Sequence, residues 1–405
     1  MYRPQPLGST CGKSVPLSLT CLEDPPRVDT LFGRHYAGDG MDLGIVGLPL
    51  CGKTTVFNAL THGHAETGGY RAGVETHIGV VKVPDERLNK LAAQFQSKKA
   101  TQAELRYIDL PAMSATVSRA GGPSSQVLSA LSASDGLLHV VRTFQREDVP
   151  HPQGSIDPHR DIAAMDVELA LADLGVVEKR LERLAPVVRA AKPGEREAGE
   201  REMELLRRVK ASLEVETPLR AQDLAADEEK ALRDYALLTL KPVLLIVNVG
   251  EDDASKIADI ESEFAARYAA DGTRVVALCG QLEMELAELS EEEAWEFRQD
   301  MGLTDSGVQR VLQQTFDLMG LITFYTVVGD ECRAWTVPRG TPAQQAAGRI
   351  HSDMERGFIR AEAIGWEEIL ACGSLAEARK RGILRTEGKG YTVQDGDVLH
   401  ILHSG

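Results

Sequence analysis

The sequence predicts an α/β protein: a doubly wound sheet, interrupted by a helical hairpin and followed by a smaller α+β region. Three observations predict it. From Met41 onward short apolar runs alternate with helical stretches, the rhythm of a sheet covered on both faces by helices. Between residues 167 and 188 the apolar residues recur with helical spacing. After residue 321 the texture changes to short strands with two helical pieces among them.

The 405 residues, 43% hydrophobic and 26% charged, suit an ordinary globular protein of two or three domains. Residues 1–40 are rich in Pro, Gly, Ser and Thr and are read as a disordered tail, with Met41 as the natural start. That tail lacks the continuous apolar run of a secretory signal, and no stretch approaches the length of a membrane span, so no membrane partner is expected. Its Cys11-Gly12-Lys13-Ser14 imitates the end of a phosphate loop, but no strand precedes it. The six cysteines form no CxxC pair and no metal-ligand spacing, which fits a reduced, cytoplasmic setting. A formal charge of −16 opposes general binding of polyanions, DNA included. Residues 321–405 carry ten Lys and Arg against eleven Asp and Glu, so that region can approach RNA.

Taken in order, residues 43–46, 78–83, 105–108, 137–141, 243–247 and 275–278 read as strands. Residues 41–165 and 239–320 therefore form the two parts of one α/β domain. Between them, at 166–238, Val167, Ala170, Leu174, Val177, Leu181, Leu184 and Val188 are spaced alternately by three and four. Pro193-Gly194 breaks this seam, and Leu206, Val209 and Leu213 resume it on a second helix. An antiparallel coiled-coil hairpin or a helical subdomain packed on the core both satisfy the spacing. In 321–405, residues 322–328, 332–337, 358–364 and 398–402 read as strands, and 342–350 and 375–381 as helices, of a small α+β domain of its own.

The strongest motif is Gly47-Leu48-Pro49-Leu50-Cys51-Gly52-Lys53-Thr54, which matches GxxxxGK[ST] and lies between a strand and a helix. Gly47 and Gly52 let backbone N–H groups turn around phosphate oxygens, and the helix N-terminus adds positive potential. Lys53 is expected to reach the β- and γ-phosphates, and Thr54 to ligate Mg²⁺. Thr55 is counted with the nucleotide-binding residues. Asp109 ends a strand one strand–helix unit beyond the loop, where such folds hold Mg²⁺. At the end of strand 243–247 stands Asn248-Val249-Gly250-Glu251-Asp252. GTPases have Asn-Lys-x-Asp there; Val249 replaces the Lys that covers the base and Glu251 the Asp that pairs with guanine. Asn248, Val249 and Glu251 are read as the base-contacting set, with the Asn248 amide facing adenine.

Together these residues resemble the YchF family, the Obg-like ATPases of the translation-factor class of P-loop NTPases, from about Met41 to the C-terminus. The resemblance rests on Gly44-Ile45-Val46-Gly47-Leu48-Pro49 with Phe57-Asn58-Ala59-Leu60-Thr61, and on Glu168-Leu169-Ala170-Leu171-Ala172-Asp173-Leu174. It rests also on Asn248-Val249-x-Glu251-Asp252. It is closest in Arg333-Ala334-Trp335-Thr336, Gln345-Ala346-Ala347-Gly348-Arg349-Ile350-His351, Gly357-Phe358-Ile359-Arg360-Ala361-Glu362 and Val393-Gln394-Asp395-Gly396-Asp397-Val398. It implies a P-loop NTPase domain with an inserted coiled-coil arm and a C-terminal, β-grasp-like TGS domain. It also implies ATP preferred over GTP, Mg²⁺ as cofactor, and ribosome association through the arm and the TGS domain, with Lys53 and Asp109 serving hydrolysis.

Departures from the family pattern fall where hydrolysis is controlled. Asp-x-Ala-Gly stands here as Asp109-Leu110-Pro111-Ala112, Gly73 replaces a Mg²⁺-ligating Thr for which Thr76 is the nearest substitute, and 113–122 lacks several glycines. They predict slow turnover, with negligible hydrolysis or a GTPase as the alternatives. Cys51, beside a helix N-terminus, is open to a reactive thiolate or to a plain small-residue role. The basic run Arg379-Lys380-Arg381 with Arg385 suits either RNA or a solvated helix end, and His351, His400 and His403 are read as structural.

Overall fold

The computed structural model describes residues 41–63, 76–111, 125–270, 272–303 and 305–404. The readings of the 1–40 tail, Gly73, Ala112 and 113–122 lie outside them.

The six strands read in the α/β region all form: β1 (Met41–Val46), β2 (His77–Lys82), β4 (Glu104–Asp109), β5 (Gly136–Arg142), β6 (Val243–Asn248) and β7 (Thr273–Leu278), with a short β3 (Lys99–Thr101) before β4. They assemble as β2-β4-β1-β5-β6-β7, without β3. β1, β4, β5, β6 and β7 are parallel, and the phosphate loop leaves the C-terminal end of β1 near the centre of the sheet. β5 and β6 are buried along their whole length, as continuous apolar runs require. β2 departs from the expected pattern: it is an antiparallel edge strand, with Ile78 59% and Val80 48% exposed. One face of this strand is open, so its apolar residues do not report burial.

Helices α1 (Lys53–Thr61), α2 (Glu86–Gln94) and α3 (Ser125–Ala133) lead to α4, which runs from Pro158 to Ala190. Asp157 caps α4 by accepting from the Arg160 N–H at 3.1 Å, and Pro158 opens its first turn. The helix thus begins well before residue 166. Its first turns bury Ile162, Met165 and Leu169 in the α/β core, and its later turns bury Ala170, Val177, Leu184 and Val188 against Leu206, Val209 and Leu213 of α5 (Pro193–Glu214). Ion pairs Arg180–Glu202 and Lys210–Glu178 show that α5 runs back along α4. One helix is both core element and arm. Asp173, buried on α4, accepts from the Leu238 and Thr239 N–H groups at 2.8 Å each and from the Thr239 hydroxyl at 2.7 Å, fastening the returning chain.

Beyond the arm come α6 (Ala226–Leu232), α7 (Ile257–Tyr268), α8 (Gly280–Leu286), α9 (Glu291–Asp300) and α10 (Gly307–Leu318). The C-terminal strands are β8 (Leu321–Val328), β9 (Glu331–Pro338), β10 (Phe358–Gly365), β11 (Arg385–Glu387) and β12 (Asp397–His403). They form a second sheet, β11-β10-β12-β8-β9-β3, whose last strand comes from upstream. Leu88 and Leu91 of α2 and Ala103 pack into the same cluster as Tyr325, Cys332, Ala334 and Ile369. The sequence reading of a self-contained α+β domain from 321 is corrected accordingly. α2 and β3 are too short to show this in their own periodicity, and their apolar faces are completed only by residues more than 200 positions away. Among the described residues no helix is long and apolar enough to cross a membrane.

Candidate nucleotide site

The loop from Gly47 to Thr54 turns from β1 into α1 with a backbone that its glycines permit. Gly52 has φ +94°, and a Cβ there would lie 2.2 Å from Asn248 Nδ2; a Cβ at Gly47 would lie 2.5 Å from the Val140 carbonyl oxygen. Leu50 also sits at positive φ, +62°, a conformation of moderate cost for a residue with a side chain. Gly47, Leu48 and Cys51 are buried, while Pro49, Leu50, Gly52, Thr54 and Thr55 are half-buried around them.

Lys53 is 8% exposed, and its ammonium donates to the carbonyls of Gly47 and Leu48 at 3.1 Å each. The cation is therefore held across the mouth of its own loop. The Thr54 hydroxyl donates to Asp109 Oδ2 at 2.8 Å, so the two residues read as metal ligands meet although 55 positions apart. The other oxygen, Asp109 Oδ1, is buried and has no hydrogen-bond partner among the described residues. Burial pushes the Asp109 carboxyl above its ordinary value, against the opposing pull of Thr54, Lys53 and His77. His77, opposite Asp109 on β2 with Nδ1 3.8 Å away, was not singled out by the sequence reading. Thr76, just before it, is exposed.

The base-side residues are placed differently from the sequence reading. Asn248 is buried; its Nδ2 donates to the Cys51 carbonyl at 3.1 Å and its Oδ1 accepts from the Gly280 N–H at 3.0 Å. The side chain ties the phosphate loop to the loop after β7, rather than standing free to read an adenine edge. Val249 is buried in the cluster around Val247, Ala254, Ile257 and Cys279, where it packs as a core residue. Glu251 is exposed and opens the 3₁₀ turn Glu251–Lys256, which buries Ala254. Cys51 is buried, and that burial pushes its thiol up, which disfavours the thiolate of the first reading.

Comparison with known proteins supplies the wider setting. Residues 42–179 match a family model described as a 50S ribosome-binding GTPase. Residues 321–404 match the model of the YchF-GTPase C-terminal region, described as a protein of unknown function. The ribosome-binding ATPase YchF of Bacillus subtilis (strain 168) is 39% identical over 360 residues, 88% of this chain and 97% of that protein. Its namesake in Escherichia coli O157:H7 is 38% identical over 366 residues, 90% of this chain and 99% of the relative. The chain belongs to the YchF family.

The solved structure of the Schizosaccharomyces pombe YchF GTPase superposes with a TM-score of 0.76 at 30% identity, covering 90% of this chain and 98% of that one. The YchF likeness thus spans both sheets and the arm. Two residues beside the site escaped the sequence reading. Arg142 ends β5, and Phe144 follows it against Gly52 and Gly250. The available signal was a permanent cation, Arg142, closing the run at residues 137–141, which is apolar apart from His139, where a strand buried on both faces has no ordinary use for one.

Proposed function

We propose that this chain is a P-loop switch protein that binds ATP with Mg²⁺, hydrolyses it slowly and associates with ribosomes. The observation that carries this reading is Lys53 drawn across the loop by the Gly47 and Leu48 carbonyls, beside the Thr54–Asp109 contact. A nucleotide triphosphate entering the loop would take over the ammonium and meet the N–H groups at the start of α1. Thr54 and Asp109 offer hard oxygen donors, and Asp109 Oδ1, which has no hydrogen-bond partner among the described residues, fits a bound cation. Mg²⁺ held there would offset charge on the phosphates. For base choice, the GTPase Lys and Asp are replaced by a core Val249 and an exposed Glu251, which removes the guanine-directed carboxylate and supports ATP. The names of the Bacillus subtilis and Escherichia coli relatives support both ATP and the ribosome.

In this reading residues 41–165 and 239–320 form the nucleotide domain, 166–238 the arm and 321–405 a TGS domain that also draws on α2 and β3. The arm and the TGS domain make the ribosomal contact, in the cytoplasm. A second reading, nucleotide-gated binding with negligible turnover, is favoured by the sequence Asp109-Leu110-Pro111-Ala112, in which Pro111 stiffens the exit from β4. Phosphate release measured beside equilibrium ATP binding separates the two. Binding with slow release supports the switch, binding without release supports the second reading, and absence of binding contradicts both.

A further inference from the structure

Strand β2 sets a histidine beside the metal side of the nucleotide site. In the antiparallel β2–β4 pair His77 lies directly opposite Asp109, and residues opposed in such a pair point to the same face of the sheet. The His77 Nδ1 stands 3.8 Å from Asp109 Oδ2, the oxygen that accepts from the Thr54 hydroxyl at 2.8 Å. The Asp109 side chain is 6% exposed and that of His77 38%, so a ligand can reach the ring while the acid lies deeper. Close packing fixes the strand in this place. A Cβ at Gly79 would lie 2.3 Å from Thr61 Cγ2, so β2 runs hard against α1, the helix that begins with Lys53 and Thr54. The Phe57 ring of α1 lies 6.2 Å from the imidazole between centroids.

Neither contact calls for an imidazole. The strand pairing is made by backbone groups, and an apolar side chain would serve beside Phe57. What the ring adds is a nitrogen donor next to two oxygen donors. Atoms bound to one dication through bonds of ~2.1 Å lie roughly 3–4 Å apart, and both spacings at Asp109 Oδ2 are close to that range. Mg²⁺ binds oxygen, whereas Fe²⁺, Co²⁺, Ni²⁺ and Zn²⁺ accept imidazole as well.

We propose that His77 determines the metal specificity of the site: beside Thr54 and Asp109 it raises the affinity for an imidazole-accepting dication of the first transition row relative to Mg²⁺. The inference rests on the ATP-binding reading above, because phosphate oxygens and water must fill the rest of the coordination sphere. Nucleotide is needed for a second reason. The Lys53 ammonium acts on Asp109 across the site and repels a cation until phosphates take it over. Mg²⁺ still binds through oxygen alone, so His77 adds a choice of metal to the nucleotide reading without removing the expected one.

The test uses the full chain with a non-hydrolysable ATP analogue, titrated with Co²⁺ and, separately, with Mg²⁺. His77→Asn should weaken Co²⁺ by about ten-fold and leave Mg²⁺ unchanged. The Co²⁺ complex of the wild-type chain should also show a far-downfield, solvent-exchangeable imidazole N–H proton resonance, the signature of a histidine bound to the paramagnetic ion, and the variant should lack it. Should His77→Asn fail to fold, His77→Gln gives the same comparison. An equal loss for both metals would mean that His77 only positions Asp109, and would overturn the inference. So would unchanged Co²⁺ affinity in the variant, absence of the resonance from the wild-type complex, or its persistence in the variant. Failure of the wild-type chain to bind the analogue with either metal would instead count against the ATP-binding reading.

Discussion

Asp109 and Lys53 illustrate how single residues in this site trade folding stability for ligand chemistry. Because burial raises the Asp109 pKa in the fold, the protonated form is favoured there. Its contribution to stability is present at low pH, below the ordinary 3.8, and is lost as pH rises through the folded value. At neutral pH the carboxylate is thus a burden on the free protein, and Asp109→Asn should leave the thermal midpoint equal or higher while weakening Mg²⁺-dependent ATP binding by about ten-fold or more. A lowered midpoint with unchanged binding would show that the carboxylate serves the fold instead. Lys53→Ala removes two charge-assisted contacts but little packing, so ATP affinity should fall by about 100-fold with the circular dichroism spectrum retained. His139 works in the opposite sense. Burial pushes its pKa down from 6.5 to about 4, with Asp166 and Asp161 opposing and Arg220 and Lys53 assisting. The folded state prefers the neutral ring, so this stability is present above 6.5 and is lost as pH falls toward 4. Between pH 7 and pH 5 the loss is about 2 kcal/mol, which urea unfolding of His139→Gln against wild type should show as a shallower pH dependence. The phosphate loop could be read from residue types because its turn is local and its spacing fixed, and Asp109 because it ends the strand next to β1, where it meets Thr54. Asn248 and Val249 could not: their burial is decided by Gly280 and the β7 side of the sheet, which a motif does not display.

At the scale of elements, hydrophobic spacing showed the seam between α4 and α5, because an unbroken three-four alternation admits no other period, but not where either helix begins. What spacing could not show is that α4 starts as part of the core. Ile162, Met165 and Leu169 belong to different clusters from Ala170 and Val177, although they lie on one continuous helix. This continuity gives the switch reading a mechanical route, since movement at the base of α4 must be carried into the arm. The arm's cohesion comes from its seam more than from the ion pairs that join its helices, Arg180–Glu202 and Lys210–Glu178, which are partly exposed to solvent and contribute little. Leu206→Ala should therefore cost about 2–5 kcal/mol locally. Hydrogen exchange should read it as faster exchange across α4 beyond Ala170 and across α5, with β1 and α1 unchanged. Uniform acceleration throughout the chain would mean that arm and core unfold as one unit.

For the whole molecule, the second sheet is where local reading fell furthest short. Its strands β8, β9, β10 and β12 were legible, but β3 pairs with β9 from far upstream, and Tyr325 donates to Asp85 at 2.5 Å while Arg87 bonds Asp395 at 2.7 Å. The C-terminal region is thus clamped to the chain that follows β2. Deleting 321–405 should expose Leu88 and Leu91 and lower the thermal midpoint of the remainder, so ribosome co-sedimentation is better tested with surface substitutions than with truncation. The basic run is a poor choice for them, since Arg379, Arg381 and Arg385 already pair with Glu362, Glu377 and Asp397. The central claim, that this YchF-family chain is an ATP-binding switch, is tested most directly by competing ATP and GTP, each with Mg²⁺, against a fluorescent ADP analogue. The account predicts that both compete and that ATP does so at lower concentration. A clear preference for GTP, or no displacement by ATP, would contradict it.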